Sequence, residues 1–232
     1  MDQPHHYQPC FSSVPSSATQ RWTLLRTFVQ RWYDLEMPLD RDLESAAHET
    51  QAELGLPLSD SIREWIAFAK DLKALGRFEY VLRDCFEVAR FKRLGCTTLL
   101  LQGEGDVYWA VRDEHADQDD PPVDCLHRDL ETGRWTIGWR DTDSLTSFVL
   151  CHMAAFLGPG FTRVRDITDE VIAELTDAFP VSSEYNGILI LEDTDLIGFV
   201  RSRTEGEPTL TIARQPSFPE SALPECVRRL CP

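Results

Sequence analysis

The fold of this chain is decided by residues 97–111, which read TTLLLQGEGDVYWAV. Two short runs rich in β-branched, leucine and aromatic residues, 97–101 and 107–111, flank a segment with two glycines and an aspartate. That composition is typical of a β-hairpin. The run 135–139 predicts a further short strand of the same sheet. We therefore expect an antiparallel sheet whose first hairpin turns between residues 102 and 107.

Helices flank this sheet in groups. Apolar residues at helical spacing predict helices over 21–36, over 42–54 and from a Ser59 cap onward. A fourth helix is predicted from Asp143 or Ser144 to Gly158. Because the helices do not alternate with the strands, the pattern favours an α+β fold over a doubly wound one.

The last third of the chain repeats this mixture on a smaller scale. Residues 169–179 predict a helix with two acidic residues in its first turn, which suits the helix dipole. Three short apolar runs follow and predict a β-meander over 188–191, 196–200 and 210–213. The predicted fold class is α+β, with an antiparallel sheet packed against grouped helices, plus a C-terminal helix and a small β-meander.

We predict three segments along the chain. Residues 1–20 lack periodicity and are expected to form a flexible N-terminal arm. Residues 21–158 form the main α+β domain. Residues 159–232 form the extension of helix and meander. The junction at 158–160 is too short for a linker, so the extension is expected to dock on the same body.

The net charge of −16 limits the kinds of macromolecule that the chain is expected to bind. Sequence-independent nucleic-acid binding needs lysines and arginines that displace counterions, so nucleic acid is not expected. A strongly acidic chain suits a basic protein partner, although solubility alone accounts for the charge equally well.

Three further features indicate the cell compartment. No apolar run reaches the ~18 residues of a membrane span, and the N-terminus lacks the pattern of a secretory signal. The seven cysteines are odd in number and form no CxxC pair, which favours free thiols in a reducing compartment. We therefore expect a cytoplasmic protein without membrane contact.

Catalytic motifs are missing from the sequence. It contains no GxSxG, P-loop, GxGxxG or HExxH pattern, so we expect no catalytic residues, no cofactor and no enzymatic activity. A metal-dependent enzyme is an alternative, because acidic, histidine and cysteine side chains lie close together over 113–127. Their spacing matches no closed zinc pattern and two prolines interrupt it, so no metal site is predicted.

The same acidic stretch is the predicted partner-binding site. Residues 112–131 hold eight acidic residues and two arginines. Such dense like charge destabilises a folded chain, but it speeds association with a basic partner. The alternative is a loop that only keeps the protein soluble. The carboxylates predicted to contact the partner are Asp113, Glu114, Asp117, Asp119 and Asp120.

Four stretches of the chain resemble the SUKH superfamily, which includes a yeast cell-wall assembly regulator and bacterial toxin-immunity proteins. They are the Leu-Pro step that enters an aromatic helix over 56–65, the hairpin 102–109, the Asp-Asp-Pro-Pro-Val run 119–123 and the Ser-led helix start 143–148. Their order and spacing carry the likeness over roughly half of the chain. The family's glycine-rich step before the first strand is reduced here to Gly76.

The resemblance implies a non-catalytic α+β protein that binds another protein. In its most direct form it implies an immunity protein that neutralises a cognate toxin, often a nuclease with a basic surface. A regulatory adaptor of the same fold that binds an endogenous partner is the alternative. Neither the identity of the partner nor the oligomeric state follows from the resemblance.

Overall fold

The computed structural model describes most of the chain and confirms the α+β class. The described residues are 10–33, 36–38, 43–55, 58–74, 88–102, 106–155, 162–165, 167–185, 188–201, 208–215, 219–223 and 225–230. The α-helices within them are α1 (Ala18–Tyr33), α2 (Leu43–Leu54), α3 (Asp60–Ala74), α4 (Leu145–Ala155), α5 (Asp169–Ala178) and α6 (Glu225–Leu230). The strands are β1 (Arg90–Phe91), β2 (Cys96–Gln102), β3 (Val107–Arg112), β4 (Val123–Arg128), β5 (Trp135–Thr142), β6 (Thr162–Arg165), β7 (Val181–Tyr185), β8 (Ile188–Glu192), β9 (Leu196–Arg201) and β10 (Thr209–Arg214).

The strands form two antiparallel sheets. Sheet A has the order β1-β2-β3-β4-β5, and sheet B has the order β6-β10-β9-β8-β7. The predicted hairpin is confirmed as β2 and β3, with Leu100 opposite Trp109 in the register. The predicted meander is confirmed as β8, β9 and β10, and β7 and β6 extend it on its two sides.

Chain contacts divide the protein into two compact units. The sheet A unit comprises residues 15–26 and 35–149, and the sheet B unit comprises residues 1–14, 27–34 and 150–232. The expected docking of the last third stays a prediction, and the junction at 158–160 lies outside the described residues. Among the described helices, none combines the length and the apolar composition needed to cross a membrane.

The core of the sheet A unit is built around aromatic rings. The Trp65 ring on α3 packs edge-on against Phe148 of α4, with ring centres 6.5 Å apart. Trp109 of β3 contacts the same phenyl ring at 5.9 Å. These three side chains are at most 6% exposed. The Trp65 indole N–H donates to the Leu99 carbonyl at 3.2 Å, which fixes α3 on β2.

The core of the sheet B unit is aliphatic. Leu175 of α5 and Leu191 of β8 belong to one cluster and are fully buried. Thr168 caps α5, because its hydroxyl accepts a hydrogen bond from the Val171 amide at 3.4 Å. Val227 of α6 joins the cluster from the C-terminal end.

The segment before α1 is held on sheet B at two residues. The backbone amides of Cys10 and Phe11 each donate to the Glu192 carboxylate at 2.8 Å. Glu192 is 1% exposed, and the Phe11 ring packs edge-on against Phe28 and Phe199. Within the predicted arm 1–20, these contacts fix residues 10 and 11, and α1 already begins at Ala18. Residues 1–9 lie outside the described residues.

Two buried thiols of the sheet A unit should be chemically inert. Burial, with a smaller contribution from the Asp113 carboxylate, raises the pKa of Cys96 to about 11. Burial also raises the pKa of Cys125 to about 11. At pH 8 roughly one such thiol in a thousand is the reactive thiolate. We expect iodoacetamide to leave both cysteines unmodified in the folded protein and to modify both in denaturant, as read by peptide mapping. Rapid labelling of either thiol without denaturant would contradict this burial.

Candidate functional site

The predicted acidic loop lines a cleft in the sheet A unit. A short 3-10 turn over Asp113–His115 follows β3, and the loop then runs on to β4. The cleft has a volume of about 790 Å³. It is lined by Leu58, Ser59, Asp60, Arg90, Asp113, Glu114, Ala116, Asp117, Gln118 and Asp119. We call it the acidic cleft, because this lining contains five carboxylates and one arginine.

The structure brings four of the five predicted carboxylates to the acidic cleft. Asp113, Glu114, Asp117 and Asp119 line it, whereas Asp120 does not. The other wall is the start of α3, from Leu58 to Asp60. The sequence interpretation missed this wall, since Asp60 stands alone among neutral residues and lies more than fifty positions from the loop.

Asp113 is neutralised within the protein. Its two oxygens accept hydrogen bonds from both terminal nitrogens of Arg90, at 2.9 and 2.6 Å. A bidentate pair of this kind is stronger and more fixed in direction than a single ion contact. The Asp113 amide also donates to the Gly95 carbonyl at 2.8 Å. Asp113 therefore anchors the start of the loop to the β1–β2 turn.

Arg21 anchors the other end of the loop. Its side chain is 4% exposed, and one terminal nitrogen lies 2.6 Å from an Asp119 carboxylate oxygen. The same nitrogen donates to the Asp119 carbonyl at 3.0 Å, and Nε lies 3.4 Å from an Asp120 oxygen. The Ser61 hydroxyl of α3 donates to the same Asp119 carbonyl. One buried guanidinium thus ties α1 to the loop, and Ser61 ties the loop to α3.

Asp120 caps a helix. Its Oδ1 accepts a hydrogen bond from the Thr146 amide at 2.9 Å, in the first turn of α4. A carboxylate at this position satisfies a helix amide that has no partner within the helix, and it complements the positive end of the helix dipole. Ser144 accepts from the Ser147 amide at 3.1 Å and completes the cap. Asp120 therefore stabilises the start of α4.

Three exposed carboxylates of the acidic cleft are held only loosely, in contrast to Asp119, which is 61% exposed but bound by Arg21. The Asp60 side chain is 78% exposed and lies 3.7 Å from Arg63. The Glu114 side chain is 64% exposed and lies 3.5 Å from Arg112 and 3.6 Å from His115. Asp117 is exposed, and no ion pair of Asp117 occurs within the described part of the chain. Ion pairs between exposed side chains contribute little stability. Because these carboxylates are exposed, their charges are accessible to a partner.

The residues considered as metal ligands do not converge. Cys125 is fully buried in β4, whereas Glu114 and Asp117 are exposed on the loop. His127 lies with Nε2 3.0 Å from the Thr136 hydroxyl across the β4–β5 pair. Within the described ranges, no group of three or more histidine, cysteine, aspartate or glutamate residues is placed to hold a metal ion.

One acidic residue of the same stretch has a purely internal position. Asp124 is fully buried in β4, and its two oxygens lie 2.8 Å from Arg112 Nε and 2.9 Å from Arg140 Nε. The three side chains cross β3, β4 and β5 on one face, because Ala110 and Arg140 are the neighbours of Asp124 in the register. The pairing accounts for a charged residue within the sheet.

Comparison with known proteins yields no match for this chain, whether with protein-family models, with curated proteins or with solved structures.

Proposed function

We propose that this protein acts by binding a basic protein and that the acidic cleft is the binding site. The observation that carries the proposal is the division of labour among the carboxylates. Asp113, Asp119 and Asp120 are held by internal partners at 2.6–2.9 Å, and of these Asp119 still has a 61% exposed side chain. Asp60 and Glu114 are exposed and have ion pairs no shorter than 3.5 Å, and Asp117 is exposed on the same cleft.

The internal ion pairs prepare the loop for binding. Arg90 and Arg21 fix its two ends, so the loop loses little conformational freedom when a partner docks. Exposed charges on a fixed frame raise the association rate and disfavour partners of the same sign. A lysine or arginine of the partner can place its charge beside these carboxylates and its methylene groups against Leu58 and Ala116.

The proposed partner is a toxin domain with a basic surface, and the protein is then its immunity protein. Support comes from the acidic cleft and from the resemblance of the four sequence stretches to the SUKH superfamily. A nuclease suits the cleft well, because a surface that attracts nucleic acid also attracts a dense group of carboxylates. A toxin blocked in this way requires no catalysis by the inhibitor.

The test is a comparison of two triple variants. Asp60→Asn, Glu114→Gln and Asp117→Asn together remove three exposed charges of the acidic cleft. Glu174→Gln, Asp177→Asn and Glu184→Gln remove three exposed charges of the sheet B unit and form the control. The partner is captured with the wild-type protein and identified by mass spectrometry. We expect the cleft variant to bind it at least about tenfold more slowly at low salt, with a weaker salt dependence.

The control variant should associate within about twofold of the wild-type rate, because its charges lie on other elements. Equal slowing by both variants would mean that only net charge matters, and the acidic cleft would lose its role. A captured partner that is an endogenous component rather than a toxin would favour the adaptor function over immunity. Thermal unfolding of both variants confirms that folding is intact.

A further inference from the structure

The β4–β5 hairpin presents apolar side chains to solvent. Leu130 at its tip is 84% exposed, and Trp139 on β5 is 57% exposed. They are two of the four large apolar residues that are exposed in the described part of the chain. Trp65, Trp109 and Trp22 are buried, so the exposure of Trp139 is particular to its place on β5.

The exposure of Trp139 is produced by an irregularity in the strand pairing. Ile137 pairs with Leu126 and Arg140 pairs with Asp124, so Gly138 and Trp139 together face the single residue Cys125. This arrangement is a β-bulge, which re-aims side chains. Glycine fits within it without crowding, since a Cβ at position 138 would lie 2.9 Å from His127 Nδ1 and 3.3 Å from the Cys125 carbonyl and would force His127 to shift.

The edge of sheet A is unsuited to adding a further regular strand. β5 is the outermost strand of the sheet, and a second irregularity separates Asp124 from Val123 in the same pairing. Two bulges in eight residues interrupt the row of backbone groups that an added strand would need. A partner at this edge is therefore recognised through side chains.

The order of charges along β5 is consistent with a second copy of this chain. Residues 128–143 contain four acidic residues and three arginines, so the hairpin carries charges of both signs. The two ends of β5 differ in sign. Exposed Arg134 precedes the strand, and Asp143, whose side chain is fully exposed, follows it.

We propose that Trp139 is the centre of an interface between two copies of this chain. In a two-fold arrangement with antiparallel β5 strands, the two Trp139 rings meet near the axis. Arg134 is five residues before Trp139 and Asp143 is four residues after it. Arg134 and Asp143 therefore lie at nearly equal distances from Trp139 along the strand, and the two distances differ by about one residue, or ~3.3 Å. Arg134 of each copy then faces Asp143 of the other, and the contact occurs twice.

The composition of the surface suits such an interface. Tryptophan and arginine are the residues that most often carry binding energy at the centre of protein interfaces. Leu130 adds a second exposed apolar side chain, at the hairpin tip. The acidic cleft lies on other elements and is not used, so this proposal and the proposed function stand separately.

Sedimentation velocity of the full chain from about 1 to 200 µM tests the interface. We expect a dimer whose fraction rises with concentration. Trp139→Ala should raise the dimer dissociation constant at least about tenfold, because a central tryptophan is removed. Val181→Ala, which truncates an exposed apolar residue of β7, is the matched control and should leave the dimer unchanged. An unchanged far-ultraviolet circular dichroism spectrum of Trp139→Ala confirms that its fold is intact.

A charge exchange locates the contact. Arg134→Glu should weaken the dimer, and Arg134→Glu combined with Asp143→Arg should restore it, since the opposite signs face each other again in both copies. A monomer at every concentration would overturn the proposal. A dimer that survives Trp139→Ala, or one that the double exchange fails to restore, would overturn the placement of the interface.

Discussion

Replacing Trp65 with alanine should lower the free energy of unfolding by about 3–5 kcal/mol. The indole is 1% exposed, and its ring centre lies 6.3 Å from Phe68 and 6.5 Å from Phe148. Truncation removes this packing, leaves a cavity between α3, α4 and sheet A, and deprives the Leu99 carbonyl of the indole donor. The measurement is urea unfolding followed by far-ultraviolet circular dichroism.

Two matched variants make this prediction specific. Trp65→Phe keeps an aromatic ring and should lose about half as much stability, and it also serves if the alanine variant does not fold. Trp139→Ala removes the same side chain from an exposed position and, at a protein concentration where the chain is monomeric, should change the free energy of unfolding by less than about 1 kcal/mol. A loss below 1 kcal/mol for Trp65→Ala would contradict its place in the core.

Replacing Asp124 with alanine should cost about 3 kcal/mol. The carboxylate is fully buried, whereas its partners Arg112 and Arg140 are 32% and 39% exposed. Removing it leaves two guanidinium groups without their shared anion. Since water reaches part of each arginine, we expect the loss to fall at the lower end of the range for a broken buried pair. Urea unfolding at neutral pH measures the loss.

The charge network can be separated from simple packing. Asp143→Asn removes a fully exposed carboxylate 3.8 Å from the same Arg140, and it should change stability by less than about 0.5 kcal/mol. Replacing all three network residues, Asp124→Leu with Arg112→Met and Arg140→Met, should recover part of the loss, because no buried charge remains unpaired. A triple variant less stable than Asp124→Ala would show that the charges themselves stabilise the sheet.

Local pattern was sufficient to predict most helices and strands. The hairpin of β2 and β3 followed from two short runs of strand-forming residues around a glycine-rich turn, which is information contained within fifteen residues. Helix α5 was predicted one residue too long. Helix α1 was placed three residues too late, because the Ser17 carbonyl already accepts the Arg21 amide at 3.0 Å and starts the helix at Ala18. Strands β1, β4, β6 and β7 were not predicted. β1 and β6 have only two and four residues, too few for a period to show, and at least half of the residues in β4 and β7 are polar.

The candidate site was predictable only in part. Charge density led to the acidic loop, which lines a cleft together with the start of α3. What the local pattern could not reveal is which carboxylates have internal partners. Arg21 and Arg90 lie ninety-eight and twenty-three positions before Asp119 and Asp113, and their pairing follows from the packing of α1 and β1. Asp113, Asp119 and Asp120 therefore looked equivalent to Asp117 in the sequence although their environments differ.

The hydrogen bonds from the Cys10 and Phe11 amides to Glu192 have a consequence for folding during translation. The amide of Cys10 and its acceptor are separated by 182 residues. A ribosome adds about 5–20 residues per second, so Cys10 is synthesised roughly 10–40 s before Glu192, whose carboxylate accepts its amide hydrogen bond. The sheet A unit uses residues up to 149 and can fold during this interval.

The sheet B unit is completed after the sheet A unit, because it combines residues 1–14 and 27–34 with residues 150–232. Until Glu192 and Phe199 have been synthesised, Cys10 and Phe11 lack these native partners. The nascent chain therefore exposes the Phe11 ring to chaperones for longer than it exposes the side chains of the sheet A core.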